Sequence, residues 1–247
     1  MTDNTQLFSR KSEDYSQFRP AYPDAAAVWL KSRIAGDTVV DIGAGTGIFT
    51  RLLPRHFRQV SAVEPNADMR AKFQLLLPAV PCLAGTGEAT GLPDHSVDLI
   101  TVAQAFHWLD EDRFRAEAKR ILRPSGKVAI IWNTSLPDDF TEARDRVCRR
   151  YCPRFRSGYA GKRSPAEGDA FLRHRYFRET EAAAFANPFV MDCRTFAGNM
   201  RSRSYALTPD HVDYDKFMAD LRAVFETFSR HGFVTEPQET RLYLGYF

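Results

Sequence analysis

Three glycines at alternate positions, Gly43, Gly45 and Gly47, follow an acid, Asp41, that ends the apolar run Val39-Val40. Glycine lets backbone N–H groups approach a ligand closely and adopts backbone angles that other residues resist. Placed after a buried strand, such a loop lies at the carboxyl end of the strand, where open α/β sheets bind ligands. The chemistry is that of a cradle for a nucleotide-type cofactor; a plain tight turn would need only one or two glycines. The spacing G-x-G-x-G puts Ile48 where the dinucleotide fingerprint has its last glycine, so a cofactor without pyrophosphate fits better than a nicotinamide dinucleotide. Glu64 closes a second apolar run, Val60-Ser61-Ala62-Val63. A carboxylate there can accept hydrogen bonds from both hydroxyls of a ribose; beside Pro65 it could instead favour a helix N-terminus.

These residues need a sheet to hold them. Residues 38–42, 60–63, 97–103 and 127–132 read as buried strands, with helices over residues 47–57, 65–77 and 110–122 between them. Alternating strands and helices imply a parallel sheet with right-handed crossovers. Residues 24–34 form a helix after Pro23 and stop at Gly36, while Pro54 should kink or shorten the helix after the glycine loop. Further on, an Arg-rich, aromatic-studded segment over residues 144–178 is expected to be helical. Residues 181–192 form a strand, residues 210–231 an amphipathic helix ending at Gly232, and residues 240–246 a last strand that closes the sheet.

With Asp41, the glycines and Glu64 in this order, the chain resembles the class I S-adenosyl-L-methionine (SAM)-dependent methyltransferases of the small-molecule, trans-aconitate and quinone-biosynthesis type, over about residues 15–133. The resemblance implies a Rossmann-like, doubly wound α/β fold. Its seven-stranded sheet would be mostly parallel with an antiparallel last strand, and a helical cap would follow. It implies one domain: an N-terminal lid over residues 1–35, a SAM-binding core over 36–133, and a substrate cap with closing strands over 134–247. Asp41 would orient the loop and the methionine end of SAM, Gly43, Gly45 and Gly47 would line the methionyl moiety, and Glu64 would bind the ribose.

The same resemblance extends to Gly85-Thr86-Gly87-Glu88, which is similar to the family's adenine-reading segment, with Gly87 and Glu88 at matching positions and Thr86 replacing the usual aspartate. Ala103-Gln104-Ala105-Phe106-His107-Trp108 is similar to an A-x-H-W segment whose first residues, Gln104 among them, face the methionyl end and whose aromatics face the acceptor. His107 is a candidate general base because its ordinary pKa lies near neutrality, and it could equally pack the pocket floor with Trp108. The lead-in Tyr15-Ser16-Gln17-Phe18-Arg19-Pro20-Ala21-Tyr22-Pro23 resembles a segment that folds over the cofactor, where Arg19 would pair with a carboxylate and Tyr15 would cover a sulfonium. Arg201 and Arg203, in Arg201-Ser202-Arg203-Ser204-Tyr205, make either an anion clamp for the acceptor or a solvated basic turn.

Composition narrows the reading. The chain has 247 residues, 44% hydrophobic and 26% charged, enough for one well-buried core with an elaboration. Four cysteines without a second ligand pair suggest neither a disulfide scaffold nor a zinc site, so no metal is expected. With 34 basic and 31 acidic residues the net charge is +3, too small to imply a nucleic-acid partner, although the Arg-rich segment could take RNA or an acidic substrate. No long apolar run and no leader-like start are present, so we expect a cytoplasmic protein without a membrane span. The expected activity is methyl transfer from SAM to an oxygen, nitrogen or carbon of a small molecule, leaving S-adenosyl-L-homocysteine. An RNA or protein methyltransferase would share every cofactor residue, and so would a catalytically silent SAM-binding protein. Neither the acceptor nor the oligomeric state is legible in the sequence.

Overall fold

The structure is a computed structural model that describes residues 12–155 and 165–247. Its strands are most fully buried at the centre of the sheet, where both faces are covered, and least at its edges. They are β1 (Thr38–Ile42), β2 (Gln59–Val63), β3 (Cys82–Leu83), β4 (Val97–Ala103), β5 (Leu122–Ser135), β6 (Thr180–Ala186) and β9 (Gln238–Gly245), in the order β3-β2-β1-β4-β5-β9-β6. β1 to β5 are parallel, and β9 runs antiparallel to both β5 and β6. Period-two alternation sends Val40, Ile100, Ile130 and Tyr243 into one apolar layer and Val39, Leu99, Ile131 and Leu242 into the other. α4 (Glu111–Ile121) covers the first layer through Phe114, Ala118 and Ile121; α2 (Asp24–Lys31) covers the second through Ala26, Ala27 and Leu30. Chain order reverses between β1 and β4, which opens a crevice beyond their carboxyl ends.

Departures from the sequence expectations have local causes. After the glycine loop there is no α-helix over residues 47–57 but a 3₁₀ segment, Thr50–Arg55, with Pro54 inside it. The proline has no N–H to continue an α-helical ladder. The strand expected over residues 181–192 breaks after Ala186, just before Pro188. The second half, β7 (Phe189–Asp192), pairs instead with β8 (Phe233–Glu236) in a separate ribbon. The last strand is antiparallel as expected, yet it does not form the edge: β9 lies inside the sheet and β6 is outermost.

The Arg-rich segment takes in the second half of α5 (Asp139–Tyr151), α6 (Pro165–Phe171) and a π-helical turn, Leu172–Tyr176; its residues 156–164, and residues 1–11 of the expected lid, lie outside the described residues. α7 (Cys193–Arg201) was not expected from the sequence. It starts on Asp192, whose side chain accepts the Thr195 N–H at 2.7 Å. With α5 and α8 (Tyr214–Phe228) it forms a core of its own around Phe140, Cys148, Phe196, Phe217 and Leu221. α1 (Ser12–Phe18) packs on α7, and α3 (Ala67–Leu76) joins β2 to β3. Among the described residues no helix is long and apolar enough to cross a membrane.

Candidate active site

The glycine loop is wound by backbone angles only glycine takes easily: φ is 65° at Gly43, 58° at Gly45 and 85° at Gly47. Space forbids a side chain as well, because a Cβ at Gly47 would sit 2.5 Å from Leu77 Cδ1 and one at Gly43 would sit 2.5 Å from Ala105 Cβ. Asp41 lies beneath the loop, buried, accepting from Thr50 Oγ1 at 2.5 Å and Thr101 Oγ1 at 2.7 Å. Burial pushes its carboxyl up to about 6, the charge of Glu64 adds to this, and the two hydroxyls oppose it. Glu64 is also buried. Its carboxylate accepts Gly45 N–H and Asn66 N–H, each at 2.8 Å, and so ties β2 to the loop. Burial raises its pKa against these two bonds.

Beyond β1 and β4 these elements line an open cleft. Its lining includes Asp41, Gly43, Ala44 and Gln104, with Tyr15, Arg19 and Tyr22, and with Asn133, Ser135, Arg203 and Gln238. Arg19 is seated over the Tyr15 ring at 4.8 Å and donates to the Ser202 carbonyl at 3.0 Å. Its guanidinium is held down to about 10, by burial and then by the like charge of Arg203. Two polar atoms of cleft-lining residues, Arg19 Nε and Gln238 Oε1, are buried without a hydrogen-bond partner among the described residues. Such atoms call for a ligand or water to complete them.

A family profile described as "Methyltransferase domain" matches residues 40–130. An uncharacterized methyltransferase-like protein of Schizosaccharomyces pombe is 33% identical over 235 residues, covering 91% of this chain and 88% of the relative. The chain belongs to the SAM-dependent methyltransferases. An uncharacterized methyltransferase of Mycobacterium tuberculosis is 42% identical over 120 residues, 49% of each chain, so this methyltransferase matches about half the length of that relative. The structure of a putative type II methyltransferase from Anaeromyxobacter dehalogenans superposes with a TM-score of 0.69 at 26% identity, covering 93% of this chain and 98% of that one.

The methyltransferase cleft suits SAM in the chemistry of its groups. Arg19 offers a cation for a carboxylate, Asp41 an anion for an ammonium, and the glycine loop a wall without side chains. Of the residues expected from the sequence, Tyr15, Arg19, Asp41, Gly43, Gln104 and Arg203 meet in the cleft. Gly45, Gly47 and Glu64 support the loop behind it. Gly87 packs where a Cβ would be 2.8 Å from Leu109 Cδ2 and 3.2 Å from Ile42 Cγ2, and Glu88 accepts the Asp110 N–H at 2.8 Å, steadying the start of α4.

The His107 ring lies tilted against Trp108, 4.6 Å between centroids, and burial, then the Arg19 charge, hold its pKa down to about 4. Three residues expected at the acceptor pocket, His107, Trp108 and Arg201, are absent from the cleft lining; the Arg201 guanidinium instead forks onto Asp14 of α1 at 2.9 and 3.2 Å. Tyr22 of the lead-in lines the cleft too, and Asn133, Ser135 and Gln238 do so without having been singled out from the sequence. Position could have found Asn133 and Ser135, since they end β5 at the ligand-binding edge. Gln238 starts an antiparallel strand and therefore reaches the same edge.

Proposed function

We propose that this protein transfers the methyl group of SAM to a small-molecule acceptor bound in the cleft at the carboxyl ends of β1 and β4. The observation that carries this reading is the meeting of Asp41, the glycine loop and Gln104 with Tyr15 and Arg19 around one cleft. When bound, SAM supplies an electrophilic methyl group on a sulfonium. Arg19 takes its carboxylate, Asp41 its ammonium, Tyr15 the cationic sulfur face, and Glu64 the ribose, using lone pairs not given to Gly45 and Asn66. Gly87 and Glu88 bound the adenine end, and Gln104 the methionyl end.

The acceptor side is formed by His107, Trp108 and Arg203. His107, unprotonated across the physiological range, accepts a hydrogen bond from an acceptor hydroxyl and orients it; as a weak base beside Arg19 it contributes little to carrying off the proton. Arg203, held by Asn199 Oδ1 at 3.0 Å, lines the cleft with a fixed positive charge. Catalysis then comes chiefly from holding the acceptor at attack distance and keeping water out. Coverage of the cleft by the N-terminal segment supports a small acceptor over a nucleic acid or a folded protein, and a soluble, cytoplasmic setting suits such a substrate.

The test is incubation with methyl-labelled SAM and a metabolite extract, followed by mass spectrometry of labelled products. One or more labelled small molecules and S-adenosyl-L-homocysteine are expected. A protein that binds no SAM in calorimetry would overturn the reading, and label appearing only in RNA or protein would replace the acceptor class.

A further inference from the structure

One side-chain amide on the cleft wall makes contacts that cofactor binding alone does not call for. Asn133, near the end of β5, receives the Thr240 hydroxyl at 2.5 Å and Asn187 Nδ2 at 3.2 Å on its Oδ1. Its own Nδ2 donates to the carbonyl of Ala21 at 3.1 Å, and Asn187 Nδ2 reaches that same carbonyl at 2.8 Å. The amide can face only one way: flipped, its NH2 would confront the Asn187 donor and its oxygen would confront the Ala21 carbonyl. The backbone carbonyl of Asn133 in turn accepts Gln104 Nε2 at 2.9 Å. Gln104 is held in the left-handed region, at φ 57°, with its N–H on Ile131 O at 2.9 Å.

The sheet order makes this convergence possible. β9 between β5 and β6 sets Thr240 directly opposite Asn133, and the turn after β6, fixed by Asn187 N–H on Gln238 O at 2.8 Å, brings Asn187 alongside. Ala21 lies between Arg19 and Tyr22, two residues of the segment that covers the cleft. Tyr22 is itself buried edge-on against Phe49 at 5.1 Å.

We infer that Asn133, backed by Asn187, is a positioning residue whose side-chain amide latches the covering segment shut through Ala21. It rests on the SAM-binding reading. The latch acts through Arg19 and Tyr22, and sets how long the cofactor and its demethylated product stay.

Asn133→Asp preserves shape and the bonds from Thr240 and Asn187 but removes the donor to Ala21 and places a negative charge beside its carbonyl. Asn187→Ala removes the second donor from a turn outside the β-ladder. For Asn133→Asp we expect SAM to bind about tenfold more weakly and S-adenosyl-L-homocysteine to dissociate about tenfold faster. For Asn187→Ala we expect about threefold on both. In the SAM-bound state of each variant, amide hydrogen exchange should quicken over residues 19–22 and not in β1 or β4.

Wild-type affinity, release rate and exchange in Asn187→Ala would overturn the latch even if Asn133→Asp failed to fold. If the wild-type protein bound no SAM, the methyltransferase reading would fall separately. Exchange over residues 19–22 in the ligand-free proteins would then still decide the latch, with unchanged exchange in Asn187→Ala refuting it.

Discussion

Replacing Asp41 by Asn should make the ligand-free protein more stable while weakening its hold on SAM. The new side-chain amide would keep one acceptor for a threonine hydroxyl, and the hydroxyl of the other threonine can rotate to accept from the new NH2, so the hydrogen bonds largely survive. What disappears is the cost of a buried charge. The folded-state pKa of about 6 stands above the ordinary 3.8, so the native state holds the proton more tightly than the unfolded chain. The associated stability is therefore full below about 3.8 and is lost as pH rises through 6. A difference of about 2, at about 1.4 kcal/mol each, gives about 3 kcal/mol above that window.

Urea unfolding of both proteins without SAM, between pH 5 and 8, measures the gap. The variant should gain on wild type up to about pH 6.5 and then hold a constant lead of about 3 kcal/mol. In calorimetry at pH 7.5 it should bind SAM at least about tenfold more weakly, because the partner of the ammonium is gone. A variant less stable than wild type at pH 8, or a gap that does not change with pH, would refute the assignment of a strained buried carboxylate.

Gly47→Ala meets both a positive φ and side chains already in contact range, so a loss of about 3 kcal/mol is expected in thermal unfolding. Glu236→Gln leaves Arg144, which pairs with Glu236 at 2.7 Å, with Asp145 as its remaining partner. Breaking this buried pair should cost about 3 kcal/mol in urea unfolding, and a matched apolar double substitution should recover most of it. Arg201→Gln removes a partly exposed fork to Asp14 and should cost below about 1 kcal/mol. Arg203→Gln should leave SAM affinity within about threefold while labelled-product yield falls at low acceptor concentration, which the labelling assay compares directly.

The cofactor half was legible in the sequence because its signals are local. Asp41, the alternate glycines and Glu64 lie within one strand–loop–strand unit, and each states its backbone need by residue type alone. The cap hid its structure for equally physical reasons. An extended run over residues 181–192 conceals a break that only Asn187-Pro188 hints at, and α7 follows β7 with no connecting loop. Arg201 looked like an anion clamp because its partner, Asp14, is distant in the chain and is brought near only by α1 packing on α7. Glu88 likewise has a partner that its local sequence does not announce, since one of its carboxylate oxygens accepts the N–H of Asp110 and the other is left for a ligand.

The insertion of β9 between β5 and β6 also bears on biosynthesis. As the chain leaves the ribosome, β1 to β5 can pair in order, but β6 has no partner of its own until residues 238–245 emerge. Through that interval β5 and β6 present unpaired polar backbone and apolar side chains to solvent, the condition that invites misassociation. A nascent chain halted before residue 238 should therefore be a preferred chaperone client, and release should follow the arrival of a single eight-residue strand.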